Sequence, residues 1–322
     1  MSKNNLLENR HEIVFMYDVR DANPNGDPDN SNMPRMDDET EQNIVTDVRL
    51  KRTIRDFWLE NGEKILVRAE TNKEGNRKTM DDLATEFLNM GSITKSKAAE
   101  ARAKLATDLP KEFIDVRSFG AAVTLSNANY SITGTVQFGL GRSLNKPLIK
   151  TKTITATLAS TEEKGQGTFG EYHIVDYSLI NFHGIASEIN AIKTMFTRED
   201  LNELFRGMWM GTKQLNTRSK FNHMPRLLMD IESKKGKSQI GDLDLGFILK
   251  ENEINSVEEA RLDISTFIER IEGGKENIDS INLLHDDALA LYDGDEMIQN
   301  IKNYLSKKFS GITVDWLDFQ GE

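Results

Sequence analysis

The stretch EIVFMYDVRDANPNGDP (residues 12–28), continued by NIVTDVRLKRTIRDFW (residues 43–58), decides the fold. Its first eight residues are mostly apolar and rich in β-forming side chains, which predicts a buried central strand. Pro, Asn and Asp then fill a long polar loop at residues 21–43, as is typical of turns. Thr46 is a favourable N-cap, and apolar residues recur at helical spacing up to Trp58, so a helix is predicted to begin there.

The elements beyond Trp58 predict an α+β fold around an antiparallel sheet. Further strands are predicted at residues 64–69, 113–123, 131–138, 174–182 and 225–232, and helices near 80–90 and 95–106 and within 185–196 and 198–210. Two excursions interrupt this pattern, one at about 70–111 and one at about 144–172. Long excursions in compact domains are usually functional or disordered.

The charge of the chain is unevenly distributed. The 322 residues carry a net charge of −11, and 17 of the 52 acids but only six of the 41 Lys and Arg lie from Glu251 onward. The preceding 250 residues therefore hold 35 acids and 35 bases and are neutral. A neutral body can still carry a basic stripe that binds phosphate, while the acidic end is predicted to be solvated surface.

The composition indicates in which cellular compartment the protein works. The chain has no Cys, which excludes disulfides and thiolate metal sites. It contains no apolar run of about 18 residues, and its first twelve residues, MSKNNLLENRHE, have no apolar signal-peptide core. We therefore expect a cytoplasmic protein that does not span a membrane.

Two short motifs match known binding sites but lack a part that the site requires. Asp21–Gly26 begins like a calcium loop, yet the twelfth position is Asn32 instead of the bidentate Glu. Gly165–Gly170 matches GxGxxG, but a strand-like segment follows where a dinucleotide site needs a helix. The sequence thus predicts no cofactor, no metal and no catalytic residue, and a metal-binding structural protein remains only an alternative. The five histidines, which have no metal-ligand spacing, are His11, His173, His183, His223 and His285.

Basic residues gather in three clusters, which favours a nucleic-acid partner. Arg117 stands apart, just before Ser118. The clusters are Arg49, Lys51, Arg52 and Arg55; Arg142, Lys146, Lys150 and Lys152; and Lys213, Arg218, Lys220 and Arg226.

These segments resemble a known family. Residues 11–28 and 43–57 are similar to the N-terminus of the backbone subunit of CRISPR type I Cascade complexes, a member of the RAMP superfamily, and are closest to its type I-B and I-C members. The resemblance covers residues 12–228 and does not extend to the acidic region after Glu251. Further similar stretches are DVRSFGAAV (115–123), ITGTVQFGLGRS (132–143), KGQGTFGEYHIVDYSLINFHGIAS (164–187) and NTRSK (216–220).

The resemblance implies a modified RRM-like or ferredoxin-like palm at residues 10–250. A helical finger insertion would occupy about 70–111 and a β-hairpin thumb about 144–172, and residues 251–322 would pack on the palm. Such proteins are not enzymes: they polymerise along crRNA, grip its phosphate–ribose backbone and present its bases to target DNA. The implied partners are copies of the chain itself, the large subunit, the end-capping RAMP subunit and the processing endoribonuclease. The alternative is a guide-RNA-processing endoribonuclease of the RAMP type, which would need a general acid or base.

The resemblance also assigns residues to roles. The palm grip would use Arg49, Lys51, Arg52 and Arg55, flanked by Asn23, Asn25 and Arg117. Gln137, Arg142 and Ser143 would act at the base of the thumb, and Lys150, Lys152, Arg218 and Lys220 would add further RNA contacts. Ile154, Leu158 and Phe169 are the candidate thumb wedges against bases.

Overall fold

The computed structural model describes residues 5–90, 93–125, 127–155 and 169–319. Within them the helices are α1 (Asp47–Glu60), α2 (Met80–Leu88), α3 (Ala98–Glu112), α4 (Ile114–Phe119), α5 (Glu188–Thr194), α6 (Arg198–Gln214), α7 (Ser265–Gly274) and α8 (Ile301–Lys308). The strands are β1 (His11–Ala22), β2 (Gly26–Asp27), β3 (Met33–Pro34), β4 (Ile44–Val45), β5 (Gly120–Leu125), β6 (Ala128–Thr133), β7 (Val136–Phe138), β8 (Gly141–Ser143), β9 (Ile149–Thr155), β10 (Phe169–Ala186), β11 (Met224–Ser233), β12 (Ile248–Leu249), β13 (Arg261–Asp263), β14 (Ile278–His285), β15 (Ala290–Asp293), β16 (Glu296–Ile298) and β17 (Thr313–Trp316). The predicted α+β fold is confirmed.

The main sheet has nine strands in the order β17-β14-β11-β1-β10-β8-β4, and β7 and β9 also pair with β10. Its centre is β1, which pairs antiparallel with both β10 and β11. Among the described strands of this sheet, only β14 and β17 pair parallel. The predicted central strand is therefore confirmed, and it reaches further than predicted, to Ala22.

Both faces of β1 are covered, as its nearly continuous apolar sequence requires. Ile13, Phe15 and Tyr17 belong to the core on one face. Val14 and Met16 belong to the core on the other. Strands β1, β10 and β11 contribute to both cores, and the elements that cover the two faces come from different parts of the chain.

Helices α1 and α6 cover the first face. The predicted start of α1 is confirmed, because the Thr46 side chain accepts a hydrogen bond from the Arg49 backbone N–H. Apolar residues of α1, with Trp58 fully buried, pack against α6 and the sheet. The Trp58 indole donates to the Glu203 carbonyl oxygen at 3.0 Å, which fixes the two helices together.

The acidic region covers the second face. A small sheet in the order β12-β13-β15-β16 and helices α7 and α8 lie here, with Phe267 and Ile271 in the same core as Val14 and Met16. The same region supplies β14 and β17 to the main sheet. It is thus part of the sheet as well as a cover on it.

A third apolar cluster involves α2, α3 and the hairpin β5–β6, with Leu83, Leu105 and Val123 buried in it. It corresponds to the expected insertion at 70–111 and continues through the hairpin. Within the described residues, no helix combines the length and the apolar character that a membrane crossing requires.

Two predicted strands are wrong. Residues 64–69 form no strand, because the Leu66 and Val67 N–H groups donate to the Asp115 carboxylate instead of to a neighbouring strand. The strand predicted at 113–123 is α4 followed by β5. The helix ends at Gly120, where φ is +82° and an added Cβ would lie 2.2 Å from the Ile132 carbonyl oxygen.

Candidate nucleic-acid interface

Three of the four basic residues predicted on α1 are paired with carboxylates. Lys51 lies 2.8 Å from Asp47, and Arg52 lies 2.6 Å from Asp56, both one turn away on the same helix. Within the described part of the chain, Arg49 is the one base of this cluster that forms no ion pair. The cluster seen in the sequence therefore contributes less free positive charge than its composition indicates.

Arg55 and Arg117 form ion pairs with aspartates inside the molecule. Arg55 pairs at 3.1 Å with Asp115, which is fully buried. Arg117 is itself buried and makes two hydrogen bonds to the Asp200 carboxylate, at 2.7 and 2.9 Å. These contacts join α1 to α4 and α4 to α6, and the sites favour a structural function for both arginines.

Arg49 differs because it is half-buried and forms no ion pair with any residue that the structure describes. Its Nη2 donates to Thr53 Oγ1 at 2.8 Å. Burial lowers the pKa of the guanidinium, and the charge of the nearby Asp56 offsets this only in part. Arg49 nevertheless stays charged at any working pH.

Lys220 and His223 lie beside Arg49. Burial, with the nearby Arg49 charge, lowers the pKa of the Lys220 ammonium. The His223 ring stacks on Tyr17 with ring centroids 5.7 Å apart. Burial, reinforced by Lys220 and Arg49, lowers the His223 pKa to about 3, so this imidazole is neutral at physiological pH. This corner gathers positive charge and is suited to an anion.

The segment that carries Lys220 is held in a fixed turn. Backbone hydrogen bonds run in both directions between Thr217 and Lys220, and the Asn23 N–H donates to the Ser219 carbonyl oxygen at 2.8 Å. The turn places the Arg218 guanidinium 5.2 Å from the centre of the Tyr172 ring, within cation–π distance.

Tyr172 connects this turn to the long hairpin. It lies opposite Lys152 in the β9–β10 pairing. Arg49, Lys220, Arg218 and Lys152, together with Tyr172, thus form a continuous feature that we call the basic band. Among the residues that the structure describes, none of its four cations forms an ion pair. Lys150, next to the band, is exposed and lies 3.8 Å from Asp176.

Asn23 and Asn25 shape the loop after β1. The buried Asn23 amide donates to the Asn32 carbonyl oxygen at 2.8 Å. Asn25 Oδ1 accepts from both the N–H and the hydroxyl of Thr46, each at 2.9 Å. The Asn23 side chain therefore fixes the loop to itself. The Asn25 side chain fixes the loop to the start of α1, the helix that carries Arg49 of the band.

The three residues predicted at the base of the thumb have separate environments. Gln137 is exposed. Arg142 pairs with Asp37 at 2.8 Å, and this contact holds the pKa of Asp37 down at about 2. Ser143 is fully buried, and its hydroxyl donates to the Asn145 carbonyl oxygen at 2.7 Å. The structure does not bring these three together with the basic band.

Of the candidate wedges, Leu158 lies outside the described residues. The backbones of Ile154 and Phe169 belong to β9 and β10, opposite Gly170 and Thr155 respectively. These positions lie at the far end of the described hairpin, and their function as wedges stays a prediction.

Three of the other histidines make contacts outside this corner. His11 Nδ1 lies 2.8 Å from Asp230, and His183 Nε2 lies 2.8 Å from Glu12. Each contact joins β1 to one of its neighbouring strands. His173 Nδ1 lies 2.9 Å from the Thr151 hydroxyl. In the described ranges there is no group of three or more His, Asp or Glu side chains placed to hold a metal ion.

Sequence reasoning missed Tyr172 and His223 as members of this site. The Tyr172 position follows from strand register, which brings it opposite Lys152, and a sequence without a known register does not reveal this. His223 follows Lys220 by three residues, and that spacing is a usable signal once residues 217–223 are known to form a turn beside α1.

Comparison with known proteins identifies the family. The family model for the CRISPR-associated protein Cas7 matches residues 9–265, well over half of the chain. A curated relative, the CRISPR-associated protein Cas7 of Haloferax volcanii, is 30% identical over an alignment of 338 positions that covers 98% of each chain.

Solved structures share the fold. One chain from a CRISPR RNA-guided surveillance complex in a pre-nicking state has a TM-score of 0.50 and 13% identity, covering 88% of this chain and 96% of its own. A second, from a CRISPR RNA-guided surveillance complex, has a TM-score of 0.50 and 12% identity, covering 88% and 94%. The family resemblance read from the sequence is confirmed, and the chain belongs to the CRISPR-associated Cas7 family.

Proposed function

We propose that this chain is a crRNA-binding backbone subunit of a type I CRISPR interference complex and that the basic band holds the RNA. The observation that carries the proposal is a set of four cations along one continuous path, none of which has a carboxylate partner among the described residues. Cations that lie close together without counter-ions have an unfavourable electrostatic energy in the free protein. A polyanion bound along them removes this unfavourable energy.

The arrangement supports reading of the RNA backbone instead of its bases. Arg and Lys contact phosphates without regard to sequence, as a subunit that serves any guide must do. RRM proteins that read sequence stack bases on aromatic residues of an open sheet face. Here the acidic region covers the face of β1 that carries Val14 and Met16, so no such platform is open at the centre of the sheet.

The strand order supports an RRM-like or ferredoxin-like palm. The chain runs β1, α1, β8, β10, α6, β11, and these strands lie in the order β11-β1-β10-β8 with both helices on one face. We assign the palm to residues 10–250, the finger to about 70–111 with the β5–β6 hairpin added, and the thumb to about 144–172. Residues 251–322 would form the cover and outer strands of the palm.

The proposal extends to assembly. Copies of the chain would polymerise along one crRNA in the cytoplasm and leave its bases free to pair with target DNA. The large subunit, the end-capping RAMP subunit and the processing endoribonuclease would complete the complex. The named surveillance complexes of the structural relatives support this setting.

We propose further that the chain has no catalytic activity. His183 and His11 contact carboxylates, and His223 is buried and neutral. Apart from the buried His223, the histidine next to the basic band is His173, one residue from Tyr172. A His173→Ala variant that binds RNA as wild type, with no RNA shortened in either sample, would support a scaffold over a processing enzyme.

The main test is purification followed by nucleic-acid extraction. We expect RNase-sensitive nucleic acid to copurify, and guides of unrelated sequence to bind with similar affinity. Binding should weaken steeply with salt, since phosphate contacts release counter-ions. The absence of copurified RNA together with no guide binding at low salt would overturn the proposal.

A further inference from the structure

An extra residue interrupts the pairing of β11 with β1. Met16 of β1 lies opposite Leu227 of β11. The next residue, Tyr17, lies opposite Pro225, so Arg226 is an extra residue in β11 and forms a β-bulge. A bulge bends its strand and redirects the side chains beside it. Pro225 has no backbone N–H to donate to a ladder, which suits it to a position next to a bulge.

The bulge determines which face of the sheet the segment before β11 approaches. His223 stacks on Tyr17, which belongs to the core on the side of α1. Leu227, four residues after His223, belongs to the opposite core, under the acidic region. In an uninterrupted strand, residues four apart share a face, so without the bulge His223 would point away from α1. The bulge therefore brings His223 and the nearby Lys220 to the side of Arg49.

Two carboxylates hold the Arg226 side chain on the other face. Its Nε donates to Asp18 Oδ2 at 3.0 Å, and its Nη1 donates to Asp286 Oδ2 at 2.7 Å. Asp18 and Arg226 are both buried, and Asp18 also accepts from the Tyr177 hydroxyl at 2.9 Å. The Asp286 N–H donates to the Arg226 carbonyl oxygen at 2.9 Å. The bulge is thus fixed by β1, by β10 and by the acidic region.

We propose that Arg226 is a positioning residue for the basic band, and that Asp286 links the acidic region to RNA binding through it. The inference rests on the proposed function, because the band must bind RNA for its position to matter. Arg226 would not contact RNA itself, since its two ion pairs lie on the face of the sheet opposite Arg49. The acidic region would then help to shape the RNA site although its own charge repels phosphate.

The test uses two neighbouring aspartates. Substitution of Arg226 leaves the buried Asp18 without its partner and endangers folding, so Asp286 is the better position. Asp286→Asn keeps the side-chain volume and one acceptor for the Ala288 N–H, but it removes the carboxylate from Arg226. Asp287→Asn is the matched control, because it removes the same charge one residue away from a fully exposed side chain.

Fluorescence anisotropy measures the RNA affinity of both variants. If charge alone mattered, both would bind RNA slightly more tightly, since each removes an acid. We expect Asp286→Asn to weaken binding about threefold, and Asp287→Asn not to weaken it. In a Lys220→Ala background, Asp286→Asn should cause no further loss, because the contact that it positions is already absent.

A measurement without RNA separates this inference from the proposed function. The ring signals of His223 are followed by NMR, and the His223→Gln variant identifies them. In the wild-type protein they should stay constant between about pH 5 and pH 8, because the pKa of His223 is lowered to about 3. In Asp286→Asn the loosened bulge exposes the ring, so its signals should shift with pH over the same range.

Three results would overturn the inference. They are an RNA affinity of Asp286→Asn that does not fall, losses that add in the Lys220→Ala background, and His223 signals that stay constant with pH in Asp286→Asn. If the wild-type protein binds no RNA, the proposed function has failed. The His223 signals then still decide whether Asp286 and Arg226 position this segment.

Discussion

The arginines and lysines of the candidate site look alike in the sequence but form two sets in the structure. One set is paired with carboxylates, and the other is not. Arg55 and Arg117 face buried carboxylates and join helices. Arg49 and Lys220 lie close to each other, and neither has an ion-pair partner in the described ranges. The difference shows that local basic density does not reveal which cations are paired with acids, and the proposed function assigns RNA binding to the unpaired ones.

The largest expected effect is on the paired set. Arg117→Ala should lower the free energy of unfolding by about 3–5 kcal/mol, because it leaves the buried Asp200 carboxylate without its partner. Denaturant unfolding measures this. Arg52→Ala, which breaks an exposed pair, should cost at most about 1 kcal/mol. If Arg117→Ala unfolds like wild type and loses RNA binding, Arg117 belongs to the RNA site, as the sequence predicted.

The next effect concerns the basic band. Arg49→Ala and Lys220→Ala should each weaken RNA binding about tenfold, since each removes a charged hydrogen-bond donor to phosphate. Each should also reduce the slope of log affinity against log salt by about one. Fluorescence anisotropy across a salt series provides both numbers. Arg52→Ala is the matched control on α1, and an equal loss there would contradict the distinction between paired and unpaired cations.

The pH dependence of stability tests the neutral His223. The unfolded chain binds a proton at this residue below about pH 6.5, and the folded protein does so only near pH 3. Between these values the unfolded state holds more protons, so His223 makes the free energy of unfolding fall as the pH falls, by at most about 1.4 kcal/mol per unit. His223→Gln should remove this part of the slope. An unchanged slope would show that His223 titrates normally in the folded protein.

The smallest effect is expected at Arg218. Arg218→Ala removes an exposed cation that is ordered by the Tyr172 ring, and RNA affinity should fall about threefold with no measurable change in stability. Tyr172→Leu should produce a smaller loss, because the charge remains but its position is no longer fixed. Equal losses in a salt series from both variants would indicate that Tyr172 contacts the RNA directly.

The sequence predicts those parts of the fold that depend on local signals. The apolar run of β1 and the Thr46 cap of α1 are local, and both are confirmed. Residues 114–119 contain β-forming side chains and yet form a helix, because Asp115 and Arg117 are committed to partners far away in sequence. No local rule contains such information.

The candidate site likewise has features that the sequence predicts and features that it does not. Arg49, Arg218, Lys220 and Lys152 were all named from clusters, and the structure connects them. The sequence does not reveal that Asp115 and Asp200 neutralise Arg55 and Arg117, since these pairs span 60 and 83 residues. The resemblance places Ser143 at the base of the thumb, and its buried hydroxyl donates to the Asn145 carbonyl oxygen.

The position of β1 at the centre of the sheet has a consequence for synthesis. β1 precedes its neighbours β10 and β11 in the chain by well over a hundred residues, and the outer strand β17 follows only at residue 313. During translation, one of the most apolar strands of the molecule therefore emerges long before either of its partners exists. Unpaired apolar strands are aggregation-prone, so the nascent chain depends on prompt shielding until β10 and β11 arrive. Expression yield should accordingly respond more to chaperone supply and to slow growth than to the stability of the finished fold.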